Sequence, residues 1–517
     1  MPLIPLEIGT QSNYGRYGQD GKARLINGYA EELGKEGKHP YPIYAFPGLS
    51  DFATLTDGGA VRCMIDLDSY LYTVAGRAVY RIDTSGSGGA VPIGGLASDG
   101  HVTMARNRRS PNAQICVVCD GAVKIITGIT VTDLGDSDLP PPNSVFPLAG
   151  YFVFTIPDGR YFWSAIDGSG VDALDFASAE ANPDGLVIGK ALGQTAVLFG
   201  SRSTEFHTLT GGSDTFARQH VINVGCYAAG SVAEIPIITP QVITDSLAFA
   251  ATDRQGAYAG ICVIDNLSAR KISNHAVDRA VRDEPSPLSI TSCSWSDGGH
   301  AFYSISGSSF SWCWDSATGQ WTERQSYGLL RWKVRSVQQF GGGLIAGDYK
   351  SNKLYRMSNT VYAEGTDPLI MTVQTPPLHA FPEALEFLAL YIDVIPGVGI
   401  ESEEAEATET DILAWDDEDT IAWDDGDIIA WDAVEAVPST HNTDPEIMVS
   451  WSDDGINFTP PRFIKIGQMG ETIKRVKTPR LGQSKRGGGG RTFRFSVSAA
   501  VVKGIMAASI DVNKIAA

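Results

Sequence analysis

The segment "YFVFTIPDGRYFWSAI", residues 151–166, sets two apolar, aromatic-rich runs on either side of Asp158-Gly159. An Asp-Gly pair between such runs predicts a tight hairpin, because glycine takes positive φ without a Cβ clash. The arrangement recurs in both directions. Upstream, "YLYTVAGRAVYRID" (70–83) turns at a glycine and "ICVVCDGAVKIIT" (115–127) turns at Asp120-Gly121. Downstream come "TAVLFGSRSTEFHTL" (195–209), "LAFAATDRQGAYAGICVI" (247–264), "HAFYSISGSSFSWCW" (300–314) and "GGLIAGDYKSNKLYRMS" (342–358). Turn centres near 76, 121, 159, 201, 255, 307 and 350 repeat every 40 to 55 residues or so. That is the period of propeller blades, each a four-stranded sheet. Six or seven blades fit between 50 and 365. A pair of β-sandwiches is the rival, but it gives no reason for so steady a spacing. The expected fold class is all-β: a β-propeller followed by a second, β-sandwich-like domain carrying an acidic Trp-repeat insertion.

The flanks obey other rules. Residues 1–50 hold Gly, Pro and Tyr without strand or helix periodicity and read as an extended N-terminal arm. The propeller is expected over 51–370. After "TDPLIMTVQTPPL" a C-terminal β domain is expected from 371–400 and 446–517, forming a channel or platform. It is interrupted by an acidic repeat insertion at 401–445, a length of loop that is usually functional or disordered.

Composition suits this plan. The chain has 517 residues, 43% of them hydrophobic and 19% charged, enough to bury a large core. Its 56 glycines and 10 tryptophans lean toward turn-rich β structure. The net charge of −20 is uneven: residues 401–435 hold 15 carboxylates and no Lys or Arg, whereas 12 basic residues face 2 acidic ones from 460 onward. The two blocks therefore say more about partners than the total does. The 7 cysteines show no disulfide-framework spacing. Cys116 and Cys119 lie three apart in a strand-like run and point to opposite faces, which disfavours a shared metal and favours buried, reduced thiols. "MPLIPLEIGTQ" lacks the basic and apolar stretches of a signal peptide. No run reaches the length of a membrane span, so synthesis in a reducing cytosol is expected.

No local motif points to catalysis, a metal or a cofactor. The 8 histidines never come within five residues of one another, and there is no HExxH, GxSxG or Walker loop. "KRGGGGRTF" (485–493) lacks the Gly-Lys-Ser/Thr ending of a phosphate loop and reads as a flexible turn. "SWSDDGINF" resembles the Asp-box turn of sialidase-like propellers, one residue short of the usual spacing. That turn is mostly structural and makes no enzyme by itself.

Several ordered blocks resemble one family. "RLINGYAEELGKEGKHPYPIYAFPGLSDFATL" (24–55) and "DSYLYTVAGRAVYRI" (68–82) are similar to the opening of packaged-DNA stabilisation proteins of short-tailed bacteriophages, also called tail hub or nozzle proteins. "LDFASAEANPDGLV" (174–187) and "LFGSRSTEFHTLTGGSDTFARQHVINVGCYAAGSVA" (198–233) are the most specific blocks. "KISNHAVDRAV" (271–281), "LIAGDYKSNKLYRM" (344–357), "VSWSDDGINF" and "IGQMGETIKRVKTPRLG" (466–482) follow in the family's order. The resemblance implies a propeller and a structural virion protein of the tail. It implies a sixfold ring below the portal and adaptor that continues the DNA channel, retains packaged double-stranded DNA and supports fibres or spikes during ejection. The alternative is a propeller that binds or cleaves host surface polysaccharide, since fold alone does not settle function.

Two charged segments are the candidate contact sites. Arg462, Lys474, Arg475, Lys477, Arg480, Lys485, Arg486 and Arg494 form a basic strip that meets a neighbouring subunit or DNA phosphates, or else is a solvated face. DNA moving through a channel gains nothing from tight holding, so the subunit contact is favoured. "DILAWDDEDTIAWDDGDIIAWDA" (411–433) repeats at a step of eight, through Trp415, Trp423 and Trp431, with Asp416, Asp417, Asp424 and Asp425 between them. In a helix that step rotates each repeat by about 80°. In extended chain it keeps the tryptophans on one face. A small β meander or a stack against neighbouring copies is expected, projecting at one mouth of the nozzle as a channel or partner contact. A disordered acidic loop is the alternative, and bound calcium lacks any supporting spacing.

Overall fold

The computed structural model describes residues 3–17, 22–37, 39–56, 59–84, 89–210, 215–380, 383–396, 445–467, 474–484 and 490–515. The hairpin at 151–166 forms as its turn chemistry dictates. Tyr151–Thr155 pairs with Arg160–Ser164, Gly159 sits at φ 100°, and Asp158 accepts the backbone N–H of Arg160 at 3.0 Å. Each of the seven hairpins is the central pair of a four-stranded antiparallel unit, which in blades one to four is the whole sheet and in blades five, six and seven is part of a sheet of five, ten and six strands. The innermost strands are Val61–Leu67, Val102–Arg106, Ser144–Leu148, Leu186–Leu192, Ala233–Ile238, Thr291–Asp297 and Val334–Phe340. These belong to blades one to seven. The inner strands of blades one to four touch in succession, Leu186–Leu192 of blade four touches Ile243–Thr252 of blade five, and the inner strands of blades five, six, seven and one touch in turn, so the ring closes.

The side-chain pattern follows from the ring. Seven hydrophobic clusters each join two consecutive blades, the last joining Phe340, Ile345 and Leu354 of blade seven to Val61, Leu71 and Tyr80 of blade one. A strand in the middle of a blade thus has both faces buried and reads as continuously apolar. Gln114–Cys119 shows this: Ile115, Val117 and Cys119 enter the core shared with blade one, while Cys116 and Val118 enter the core shared with blade three. Six of the seven free thiols are buried and Cys63 is half-buried.

Closure uses a strand from the N-terminal side. Gly48–Thr54 pairs antiparallel with Lys353–Ser358 and supplies the fourth strand of blade seven. Residues before 48, expected as an arm without strand pattern, are extended but contribute short strands to a second β body. One sheet of that body orders Gly28–Ala30, Ile43–Ala45, Gly504–Ile515, Ala384–Val394 and Lys474–Gln483. The other orders Lys22–Ile26, Met371–Gln374, Thr492–Val497, Glu446–Ser452 and Arg462–Lys465. Leu6, Ile8, Leu25 and Ile43 pack in its core with Phe387, Leu390, Phe493, Phe495 and Ile510. These early strands run two to seven residues, too short to show a period.

The two bodies share a sheet. Lys22–Ile26 lies between Met371–Gln374 of the sandwich and Trp321–Glu323, the outer strand of blade six, which it meets in parallel. An eight-residue helix, His275–Arg282, packs between blades five and six and has no counterpart in the hairpin rhythm.

Candidate functional site

The seam between propeller and sandwich gathers polar side chains that tie distant segments together. Asn27, at φ 56°, is buried there. Its Nδ2 donates to the carbonyls of Gln325 at 2.7 Å and Ile370 at 2.9 Å, and its Oδ1 accepts the Gln325 N–H at 2.9 Å. One side chain therefore ties the N-terminal strand to the exit of blade six and the entry of the sandwich. Arg24 grips the Glu323 carboxylate with two N–H groups, at 2.8 and 2.5 Å. Asn274 caps the helix by accepting from Ala276 and Val277 and donates to the Ser12 carbonyl at 2.9 Å. Arg279 on the same helix reaches the Tyr14 carbonyl.

Beside the seam, Arg324 lies between Phe46 and Trp332, its guanidinium carbon 4.3 and 4.1 Å from their ring centroids. Glu364 stands 3.8 Å away and accepts the Trp332 indole N–H at 3.0 Å. Burial disfavours both charges, pulling the arginine down and pushing the carboxyl up from their ordinary values. Removing either partner alone would strand the other in an apolar site.

The blocks that carry the family resemblance bind one blade to the next. Asp184 accepts the N–H groups of Arg202 and Ser203, at 2.7 and 2.9 Å, and the Ser203 hydroxyl. Glu205 accepts the Ala181 N–H at 2.7 Å and is paired with His207 at 3.0 Å, whose other ring nitrogen meets the Tyr161 hydroxyl at 2.9 Å. Burial pushes the Glu205 carboxyl up, but the His207 bond and the Ala181 amide hold it below the usual range. Tyr161, His207 and Glu205 are 0, 3 and 2% exposed, so this hydroxyl–imidazole–carboxylate chain has no access to a substrate. It is a bolt between blades three and four.

The basic strip divides. Arg475 and Asp393 are register partners, joined at 2.7 and 3.0 Å, and that pairing raises the arginine further above its ordinary value. Lys477 lies 5.4 Å from the ring centroid of its partner Tyr391. Arg462 donates to the carbonyls of Pro479 and Arg480 and covers Trp451. Arg494 covers Phe458 at 3.5 Å and donates to Gln374. These side chains thus fasten the sandwich to itself. Lys474 begins the outermost strand of its sheet, and Arg480, at φ 58°, projects from the same strand. Lys485 and Arg486 lie outside the described residues. So do Trp415, Trp423, Trp431, Asp416, Asp417, Asp424 and Asp425, and with them the expected meander.

The Asp-box-like turn is structural in its contacts. Asp454 accepts backbone N–H groups from Ile456 and Asn457, at 2.8 and 2.7 Å, which hold its carboxyl far below the usual range. Its neighbour Asp453 forms a two-pronged pair with buried Arg491, at 2.6 and 2.9 Å. Among the described residues no group of three His, Cys, Asp or Glu is placed to hold a metal. No helix among them is long and apolar enough to cross a membrane.

Comparison with known proteins agrees with the sheets. The tail hub protein gp10 of Salmonella phage P22 is 27% identical over 231 residues, covering 41% of this chain and 46% of the relative. The chain's match thus spans about half the length of that curated relative. Among solved structures, the Cps50 (Swd1) β-propeller domain of Myceliophteria thermophila is 10% identical, with 60% of this chain and 99% of that one covered and a TM-score of 0.41. BamB from Moraxella catarrhalis is 11% identical, with 59% and 98% covered and a TM-score of 0.35. The propeller stands on its own hydrogen-bonded sheets. The model for the β-propeller of bacteriophage P22 Gp10 matches residues 31–362, and the model for its β-sandwich matches residues 418–513. This chain belongs to the bacteriophage P22 Gp10 family.

Proposed function

We propose that this chain is a structural protein of a phage tail: a hub that assembles with copies of itself into a ring, six in number, below the portal and adaptor. The observation that carries this reading is the family match across both β bodies in their family order. The seam supports it mechanically. A sheet continuous from blade six into the sandwich, pinned by Asn27 and the Arg24–Glu323 pair, passes load between the bodies without a flexible linker. The ring continues the DNA channel, retains packaged DNA and bears fibres or spikes; the protein is assembled in the host cytoplasm and resides in the virion.

Its chemistry is assembly, not turnover. The polysaccharide-cleaving alternative needs a solvent-facing acid–base pair, and the chain's most enzyme-like constellation, Tyr161–His207–Glu205, is closed off. Purified protein mixed with portal–adaptor complexes should attach as a ring visible by electron microscopy. A chain that stays monomeric, ignores the portal–adaptor and releases reducing sugar from host polysaccharide would overturn the reading.

The sandwich's outer strand is the proposed subunit contact. With Arg475 held by Asp393 in an ion pair, the test positions are Lys477, which only overlies the Tyr391 ring, and Arg480, both exposed. Reversing both to Glu should weaken ring assembly more than DNA retention; intact rings that leak genome would assign the strip to DNA instead.

A further inference from the structure

A cleft of about 540 Å³ opens beside the closure of the ring, where four stretches of chain meet. The closing strand Gly48–Thr54 supplies Asp51, and the hairpin turn of blade seven supplies Asp348 through Lys353. Glu364 and Asp367 come from the run into the sandwich. The loop between Trp321–Glu323 and Val334–Phe340 closes the remaining side with Tyr327 and Lys333. Clefts that take small molecules span roughly 300–1,000 Å³.

Three charged side chains of its wall are more than nine-tenths buried: Glu364, Asp348 and Lys333, at 1, 7 and 8% exposed. Lys333 donates to the Asp367 carboxylate at 2.9 Å and to the Glu364 carbonyl at 3.2 Å, which leaves one of its N–H groups to give. Asp348 fixes the turn through Oδ1, which accepts the N–H groups of Lys350 and Ser351 at 2.8 and 3.0 Å. Its Oδ2 receives the Tyr355 hydroxyl at a long 3.4 Å and keeps capacity for another donor. Two buried atoms of the lining, Glu364 Oε2 and Ser351 Oγ, have no well-formed hydrogen bond among the described residues. Polar atoms shut away from bulk water are normally satisfied, so a wall that leaves them open suits a ligand that completes them.

Charge in the cleft is balanced. Its four carboxylates, Asp51, Asp348, Glu364 and Asp367, face Lys333, Lys350 and Lys353, and buried Arg324 stands 3.8 Å from Glu364. A phosphate or a polyamine meets no net field of the sign it needs, whereas a neutral ligand rich in hydroxyls finds both acceptors and donors. At the rim the Tyr327 ring is 58% exposed, while Tyr349 is already covered by Arg331, 3.9 Å from its centroid.

We propose that this cleft binds a neutral mono- or disaccharide. Sugar hydroxyls donate to Glu364 and Asp348 and accept from Lys333 and Ser351, and the C–H face of one ring packs on the electron-rich face of Tyr327. A bound sugar bridges the closing strand, the blade-seven turn and the loop after blade six, so it also braces the ring. The site is built within one chain and does not rest on the tail-hub reading.

The test is saturation-transfer NMR and calorimetric titration of the full chain with maltose, cellobiose, lactose and chitobiose, with inorganic phosphate and spermidine as charged comparators. At least one disaccharide should bind saturably, at one site per chain, and raise the melting temperature, and neither comparator should displace it. Tyr327→Ala should weaken that binding at least about tenfold and Tyr327→Phe less than about threefold, since the ring face is what the sugar meets. Ser351→Ala should weaken it roughly three- to tenfold without lowering the melting temperature of the sugar-free chain, because the hydroxyl has no well-formed bond to lose. Leu174→Ala, an exposed apolar position on the outer strand of blade three, should leave binding unchanged. Absence of binding by every disaccharide, binding undiminished in Tyr327→Ala, or displacement by phosphate or spermidine would overturn the proposal.

Discussion

Asn27 ties the N-terminal strand to two distant chain segments at the seam. Its left-handed backbone is tolerable for asparagine and strained for alanine, and its amide makes three hydrogen bonds to two separate chain segments. Asn27→Ala leaves those backbone groups unsatisfied in a buried place. It should destabilise the fold by about 3 kcal/mol, read as a lowered midpoint in urea. His300 gives a second measurable effect. Its hydrogen bond to Asp315 at 2.8 Å raises its pKa above the ordinary value near 6.5. A raised histidine contributes stability that is full below the unfolded pKa and is lost as pH rises through the folded one. Wild-type melting temperature should therefore fall relative to His300→Gln between pH 6 and the upper end of the titration. Parallel curves would show that the pair does not titrate in this way. Neither residue announces itself in sequence, since an asparagine in "RLINGY" and a histidine in "GGHAFY" look like ordinary turn residues. Their importance comes from partners about 300 positions away for Asn27 and one strand across for His300.

At the scale of the element, what could be read was what repeats. Asp-Gly and Gly turns flanked by apolar runs located the central hairpin of all seven blades. Inner and outer strands were harder, because an outer strand such as Val171–Ser178 is half solvent-facing and mixed in composition. The helix at His275–Arg282 was missed for a similar reason, as two turns give little periodicity to detect, although "SNHAVD" does hold its Asn cap. The closing strand was missed because it lies some 300 residues from its partners. Its first residue offers a sharp test. Gly48 donates its N–H to the Val361 carbonyl, and a Cβ there would fall onto the carbonyl oxygens of Val361 and Ala363. Those are backbone atoms that cannot swing aside. Gly48→Ala should loosen the closure by about 3 kcal/mol and open the 353–358 segment to proteolysis before the rest of the ring. Cleavage at wild-type rates would mean that the closing strand moves to accommodate the methyl group.

For the whole molecule, seven cores in a ring and an eighth in the sandwich gather most of the buried apolar side chains among the described residues. The acidic tryptophan repeat, which lies outside the described residues, should be separable from the body that carries it. The insertion lies between Ala384–Val394 and Glu446–Ser452, which belong to different sheets of the sandwich, and a neutral bridge that spans the gap is the test of whether it can be replaced. Fifteen carboxylates without a compensating cation repel DNA phosphate, and salt should favour any ordered form by screening their mutual repulsion. A neutral linker in place of 403–435 should therefore leave melting of the propeller and sandwich unchanged. If the repeat lines one mouth of the hub or anchors a partner through its tryptophans, the same virions should change in genome retention, ejection or partner attachment. The informative comparison is a third chain with Trp415, Trp423 and Trp431 replaced by Ser and every acid kept. A defect shared with the deletion assigns the role to the aromatic face, whereas a defect confined to the deletion assigns it to the charge. Virions normal in all three respects with the linker alone would reduce the repeat to a tolerated insertion.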